Sequence, residues 1–415
     1  MHRWGGKNNV LLDTVRNCLN SKLIVMCKKS SLCLLVLGLV SVLSSCKSKA
    51  REDVTDIKVS VSGDNTVSIH SLNLIQAIDI VPLQSDDDFV GSIDKIVSCD
   101  TLLYLMDRNN QMVWVYDVHG QHISTINKKG HGADEYVQLS DIFIDKENET
   151  LNLLSRTEKK LLQFDLSGKN FLGQKKLPKT FTSMTKVPGG YVGYMGNYSE
   201  DERQSDNLWV LNDRLEILGS GDPIDTKLES RHRANIRPLS NYKDKCHCIN
   251  QMKRDVLLAD DINIQKICQF DFGNMNLPEL TEEDVNDPRR MFEFSNSYIM
   301  GFDYFQETDE HLIALCLYQG QEVLIVYDKN SQETKLATLD VDEKEYLLGF
   351  GYVRGIDEQH IYTVQSPDVV YSVYEGGNQY NNFEETHPKQ VANLRRKLGG
   401  LQKNDNPFIM IYSIK

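Results

Sequence analysis

The chain has 415 residues, 40% of them hydrophobic and 8% aromatic, with a net charge of -13 and a pI near 5.3. That length holds one large β domain or two ordinary ones. The acidity excludes nucleic acid as a partner, because a binding face there needs clustered Lys and Arg.

Lys28-Lys29 precedes the apolar run Leu32–Leu43, and Leu43-Ser44-Ser45-Cys46 follows. A basic flank, a short apolar core and small residues before a cut site make a secretory signal, and the core is too short for a comfortable membrane span. The Leu-Ser-Ser-Cys ending resembles a bacterial lipobox, in which the cysteine is diacylated and becomes the mature N-terminus. Two or three acyl chains anchor a protein stably where one does not, at roughly 0.8 kcal/mol per buried methylene. Met26 is a better start than Met1, since it leaves a signal of conventional length. Lys47, where Asp would suggest inner-membrane retention, points to the outer membrane, on either of its faces. The predicted organisation is therefore a lipoprotein signal at 1–45, a lipidated flexible tether at 46–61, and one folded domain at 62–415.

Ile78-Asp79-Ile80-Val81-Pro82-Leu83 is an early strand with nothing before it to pair with. Next come Leu102–Met106 and Met112–Asp117, short and rich in aromatic and β-branched residues, then the more polar His122–Ile126. In the second run Val113 and Val115 point one way and Met112, Trp114 and Tyr116 the other, so both faces need cover. Asp117-Val118-His119-Gly120 is a turn, with Gly120 available for a left-handed backbone. The aromatic-Asp-x-x-Gly pattern returns 48 residues later at Phe164–Gly168, after strands at Asp141–Asp145 and Leu151–Leu154. Weaker copies follow at Leu208–Asn212, at Ile267–Asp271, at Val323–Asp328 after His311–Tyr318, and from Gly349–Arg354 into His360–Val364. Periods of about 40–50 residues with four strands each mark β-propeller blades. The count is about six, with five and seven as neighbouring counts. A late isolated strand, Asn406–Ile414, pairs with Ile78–Leu83 to complete the last blade and close the ring, and Pro82 suits its periphery. Between the last units, Pro388–Leu401 reads as an inserted helix with Val391, Leu394, Leu398 and Leu401 on one face.

The lipobox, the Val81-Pro82-Leu83 strand, the Asp-x-x-Gly turn, the Gly130-His131-Gly132-Ala133-Asp134-Glu135-Tyr136 crossing and the closing Asp405–Tyr412 stretch together resemble the six-bladed β-propeller lipoproteins of Bacteroides-type bacteria, similar in fold to NHL and TolB-like propellers. The resemblance runs from Ile78 to Lys415. It implies an address and a shape more than an activity. Family members have Gly-Arg-Gly-Pro-Gly-Glu-Tyr at the crossing; here His131 replaces the Arg, and Ala133-Asp134 replace Pro-Gly.

Nine cysteines are present. Cys18, Cys27 and Cys33 precede the mature start, and Cys46 is the lipidation site. Cys99, Cys246, Cys248, Cys268 and Cys316 do not form a disulfide framework at these spacings; Cys99, Cys268 and Cys316 read as buried small hydrophobes. Cys246-His247-Cys248 lacks the second ligand cluster a zinc site needs. Asp86-Asp87-Asp88 lacks the spaced oxygens of a calcium loop, so no metal site and no cofactor are expected. Arg231, Arg233 and Arg237, around His232, form the local basic cluster of an acidic protein, in a loop able to meet a carboxylate. With His131 they are the candidate ligand-binding residues. No nucleophile elbow, zinc-protease helix or phosphate loop is present, and no catalytic residue is assigned. The expectation is a non-enzymatic module, anchored in the membrane by its lipid, that binds a ligand or a protein, glycan or peptide partner. The alternative is a metal-dependent hydrolase or lyase with its site in the central channel, which would require three or more Asp, Glu, His or Asn side chains converging on the axis.

Overall fold

The computed structural model describes residues 57–63, 66–84, 89–199, 206–227, 237–250, 252–260, 262–375 and 383–415. Three strands come first, β1 (Ile57–Ser60), β2 (Thr66–Ser68) and β3 (Ile75–Pro82). Blade one is β4 (Lys95–Cys99), β5 (Leu102–Asp107), β6 (Met112–Asp117) and β7 (His122–Ile126). Blade two is β8 (Leu139–Asp145), β9 (Thr150–Ser155), β10 (Lys160–Asp165) and β11 (Phe171–Lys176). Blade three is β12 (Ser183–Val187), β13 (Gly190–Tyr194), β14 (Asp206–Asn212) and β15 (Ile217–Pro223). Blade four is β16 (Leu239–Tyr242), β17 (Lys245–Ile249), β18 (Asp255–Asp260) and β19 (Asn263–Asp271). Blade five is β20 (Phe302–Glu307), β21 (His311–Tyr318), β22 (Gln321–Asp328) and β23 (Thr334–Thr338). Blade six joins β24 (Tyr352–Ile356), β25 (His360–Gln365) and β26 (Phe408–Ile414) to β3.

The first strands of successive blades touch in a closed cycle, β4 to β8, β12, β16, β20, β24 and back to β4. The fold is a six-bladed β-propeller. Closure is as the two terminal strands predict: β26 pairs antiparallel with β3, Ile409 opposite Val81 and Phe408 opposite Pro82, with Pro82 on the outer edge.

Each blade is a sandwiched sheet, so strands buried on both faces lose their alternation. Val113, Trp114, Val115 and Tyr116 are all buried, Val115 against blade two and Trp114 against the layer shared with blade six. The Asp-x-x-Gly turn joins neighbouring blades. Asp117 Oδ1 accepts the amides of His119 (2.8 Å) and Gln121 (2.9 Å). Gly120 has φ +82°, and a Cβ there would sit 1.9 Å from the Pro82 carbonyl. Gly168 repeats the arrangement at φ +70°, against Ser124 of blade one. Only glycine combines that backbone with that approach.

Three features differ from the sequence reading. The stretch taken as tether is folded from Ile57: β1 lies parallel to β19 with Val59 fully buried, and β2 lies parallel to β23. Residues 57–82 thus add an outer strand to blades four, five and six in turn. Secondly, Ile267–Asp271 belongs to the fourth strand of blade four, β19, which β1 covers; the strand equivalent to Met112–Asp117 is β18. Thirdly, the helix near the C-terminus spans Pro388–Leu398 and has companions at Pro367–Glu375 and Phe383–Thr386, while two further helices, Glu282–Asn286 and Pro288–Ser297, lie between blades four and five. Val391, Leu394 and Leu398 are buried, with Leu394 and Leu398 in the same core as β3 and β26, so this helix packs as a cap.

Candidate functional site

The first strands surround a cavity of 590 Å3. Its wall is mixed: Val97, Ile142, Met184, Leu239 and Ile356 alternate with Ser98, Thr185, Ser240, Asn241 and Gln306. At one end it reaches Asp100, Lys146 and Glu358, all in short turns between first and second strands. These turns hold two to four residues each, whereas the helices and long crossings gather at the opposite face. The cavity therefore opens among tight hairpins.

Near the starts of the first strands, buried polar bonds tie the blades to one another. Lys95 Nζ donates to Asp141 Oδ1 at 2.6 Å and to the Ile142 carbonyl at 3.0 Å, joining blade one to blade two. Asp141 is fully buried and also accepts from the Ser183 hydroxyl and the Met184 amide, reaching blade three. Arg354 Nε donates to the Ile93 carbonyl at 2.8 Å, joining blade six to the start of blade one. Arg237 Nη1 donates to the Val353 carbonyl at 2.6 Å, and its guanidinium lies 5.6 Å from the Tyr304 ring centroid. It thereby links the approach to blade four with blade six across blade five. Burial pulls the Arg237 guanidinium below its ordinary value, while Asp303 acts the other way. Burial likewise raises Glu322, whose carboxylate lies 3.8 Å from Arg354.

Bulges interrupt three first strands near these residues. β8, β20 and β24 each carry one extra residue near their start, at Ser140, Asp303 and Arg354. An extra residue turns its side chain out of the alternation and re-aims it.

At the mouth, Asp357 is fully engaged. Burial works to raise its carboxyl, but contacts from His360, the Gln359 amide, Tyr362 and Ser98 outweigh that and hold it below the usual carboxylate range. Ser98 Oγ and Tyr362 Oη both donate to Oδ2, at 2.9 and 2.8 Å. Ser240 is different: it is 7% exposed, lines the cavity, and its hydroxyl has no hydrogen-bond partner.

The predicted candidates do not assemble into one site. Cys46, Arg231, His232 and Arg233 lie outside the described residues, as do Asp86, Asp87 and Asp88. Arg237 is 6% exposed and donates to the Val353 carbonyl of blade six, which corrects its placement in a loop able to meet a ligand carboxylate. His131 is exposed in the crossing between blades one and two. That crossing is a structural turn: Glu135 Oε2 accepts the Gly132 amide at 2.7 Å, and Tyr136 is buried with its hydroxyl donating to the Gln111 carbonyl at 2.7 Å. Its own glutamate occupies the backbone amide an anion would need. Cys246 and Cys248 share a buried apolar face, and all five described cysteines are buried. His247 faces the other way, against Phe305 and 3.0 Å from Glu307. Among the described residues no group of three or more His, Cys, Asp or Glu is placed to hold a metal.

Sequence reasoning missed Lys95, Ser240 and Arg354, and took Asp141 only as part of a strand. The available signal was positional: a charged residue within two positions of the start of a first strand, in five of six blades, as Lys95, Asp141, Arg237, Asp303 and Arg354.

Residues 54–413 match the family profile of a domain of unknown function, DUF4934. Among solved structures, a putative exported protein of Bacteroides fragilis superposes with TM-score 0.68 at 17% identity, covering 86% of this chain and 99% of that one. A member of the DUF4221 family from Bacteroides vulgatus gives TM-score 0.46 at 10% identity, over 83% of this chain and 98% of that one. The first of these likenesses supports the fold; the second is too distant to carry an argument. No functionally curated protein matches the sequence.

Proposed function

Since the chain belongs to the DUF4934 family, a domain of unknown function, we propose that it is an envelope lipoprotein, anchored in the outer membrane through Cys46, whose propeller binds a ligand in its central channel without transforming it. One observation carries the binding role: a 590 Å3 cavity among the first strands that reaches the short turns at Asp100, Lys146 and Glu358. The volume is in the ordinary range for ligand pockets. The wall mixes Ile, Val, Met and Leu with Ser, Thr and Asn, and it also includes Asp100, Asp357, Glu358 and His360, although among the described residues no three such groups are placed to hold a metal. The address is supported by the Leu43–Cys46 motif and by the exported Bacteroides neighbour. Among the described residues no helix is long and apolar enough to cross a membrane.

Two experiments test this reading. A photoreactive residue introduced at Thr185, inside the channel, should capture a ligand or partner in intact cells, while one at Gly320, in the turn between β21 and β22, should not. Equal capture at both positions would remove the channel from the proposal. Cys46→Ala should release the protein from the membrane fraction, and continued membrane association would refute the lipid anchor.

A further inference from the structure

We infer that the propeller rests on the membrane by one edge of the face that carries its short turns, where Ile217, Leu218 and Ile262 of blades three and four enter the headgroup region of the bilayer. This rests on the anchor at Cys46, and it adds which surface of the domain that anchor holds against lipid.

Strand direction fixes the end from which the chain enters the domain. Within each blade the strands alternate, so the turns from first to second and from third to fourth strands share one face. Ile262 lies in such a turn, between β18 and β19, and residues 213–216 form another, between β14 and β15. β1 runs parallel to β19, with Ile57 opposite Cys268 and Ser60 opposite Asp271. Its N-terminal end therefore points toward Asn263 and the Ile262 turn. From Ile57 to the level of Ile262 is roughly 20 Å, at about 3.3 Å per residue. The ten residues 47–56 that join Cys46 to β1 span at most about 35 Å. That reaches a membrane at the Ile262 turn with length to spare.

The surface at that end is apolar where it is exposed. Ile262 is 54% exposed, and Ile217 and Leu218, which open β15, are 42% and 45% exposed. The two blades meet there: a Cβ at Gly219 would lie 2.8 Å from the Ile262 carbonyl, and one at Gly221 would lie 3.2 Å from the Ile264 side chain. Leu172, near the start of β11, is exposed at the same end of blade two. The other large exposed apolar side chains, Phe89, Tyr198, Phe292, Val341 and Tyr352, belong to the opposite face and to separate crossings, with Arg156 over Tyr198 and Arg354 over Tyr352. Adjacent exposed aliphatic side chains on neighbouring blades form the kind of patch that meets a partner or a membrane, and the direction of β1 puts lipid on this side. Charges of both signs flank the patch, Asp213, Glu216 and Asp260 beside Arg214 and Lys245, so neither sign dominates its approach. Lys47, Lys49 and Arg51, close to Cys46 in sequence, favour anionic headgroups.

The test reconstitutes the mature lipoprotein into vesicles of phosphatidylglycerol and phosphatidylcholine, the latter brominated along its acyl chains, and compares tryptophan emission with that in unbrominated vesicles. Trp114 and Trp209, the tryptophans of the mature chain, supply a constant background. Ile262→Trp and Leu218→Trp should each lose about half of the emission they add, since an interfacial side chain lies roughly 5–10 Å into the headgroup and acyl boundary. Phe292→Trp, on the opposite face, should lose none. Adding Ile217→Glu and Leu218→Glu to the Ile262→Trp chain should restore most of its emission. Residues 47–415 with a histidine tag before Lys47, held on nickel-chelating vesicles, repeat the measurement without the natural anchor.

Quenching of Phe292→Trp equal to or greater than that of Ile262→Trp overturns the orientation, and quenching of neither overturns the contact with lipid. Quenching at position 262 that survives both glutamates removes Ile217 and Leu218 from the surface. If the untagged protein fails to enter vesicles while the tagged chain is quenched at position 262, the anchor reading fails and the docking surface stands. If the protein is held in both forms and position 262 stays bright, the docking surface fails and the anchor stands.

Discussion

The two halves of the ring are held by different means. Blades four, five and six each receive an extra or completing strand from residues 57–82, so their outer edges are covered by the beginning of the chain. Blades one, two and three end at β7, β11 and β15, none of which is paired with a strand beyond it in the described sheets. Near the axis the emphasis reverses. The first three blades share the continuous Lys95–Asp141–Ser183 chain, while the belted half is tied there by Arg237 and Arg354 bonding to backbone carbonyls. A ring can be closed against fraying at its rim or at its hub, and this one uses each on a different side. Bare edges are normally protected by polarity, and β11 with two lysines and β15 with two glycines and a proline conform.

The largest effect that would break this contrast comes from truncation. Starting the chain after Leu83 removes β1, β2 and β3 and leaves blade six without its outer strand; we expect loss of a cooperative melting transition by circular dichroism. Starting after Ser71 removes only β1 and β2, and should leave a closed ring that melts cooperatively at a lower temperature. Equal behaviour of the two truncations would mean that β3 has no special role. Next comes the hub: Lys95→Met leaves the buried Asp141 carboxylate without its ion-pair partner and should cost about 3–5 kcal/mol in denaturant unfolding. At the rim, Ile69→Ala, in a fully buried position, should cost about 2–5 kcal/mol. Leu172→Ala on the bare edge, at 57% exposure, should fall within about 0.5 kcal/mol of zero. A large loss at Leu172 would show that the bare edge is covered in solution.

The smallest effect is acid loosening of the belt. Lys58 donates to Asp271, and together with Asn276 and the Gly273 amide it holds that carboxyl far below the usual range. A depressed carboxylate stabilises the folded state above its unfolded value of about 3.9 and loses that contribution as pH falls below it. Hydrogen exchange should therefore show β1 loosening from β19 between about pH 4 and lower pH, before β11 loosens from β10. In Lys58→Ala this difference should shrink.

Much of the ring was legible from local pattern. Blade one announced itself through Met112–Asp117, where every position is apolar because both faces are covered, and the Asp-x-x-Gly turn repeated because its glycine must touch the preceding blade. The same pattern misled at Ile267–Asp271. There an aromatic-Asp pair ends a fourth strand, where Phe270 packs with Phe302 of blade five at 4.8 Å between ring centroids. β1 and β2 escaped notice since four and three residues of mixed polarity gain their order from β19 and β23, more than 200 residues away in sequence. The candidate site was less legible still. Lys95 and Asp141, or Arg237 and Val353, become partners only through ring closure, and no spacing along the chain encodes that. Grouping Arg237 with Arg231 and Arg233 relied on adjacency, yet Arg237 lies two residues before the first strand of blade four and is buried with its guanidinium on the Val353 carbonyl.

The pairing of β3 with β26 also sets an order in time. Ile80 lies opposite Met410, so a strand made near the start of synthesis has its partner made almost last. At about 5–20 residues per second, roughly 15–65 s separate the two. Through that interval Ile78, Ile80 and Val81, all buried in the finished ring, have no sheet to join. A growing chain exposing such a strand invites mispairing, so the organism that makes this protein needs either a holding chaperone or blades one to five that form quickly enough to leave a single docking position.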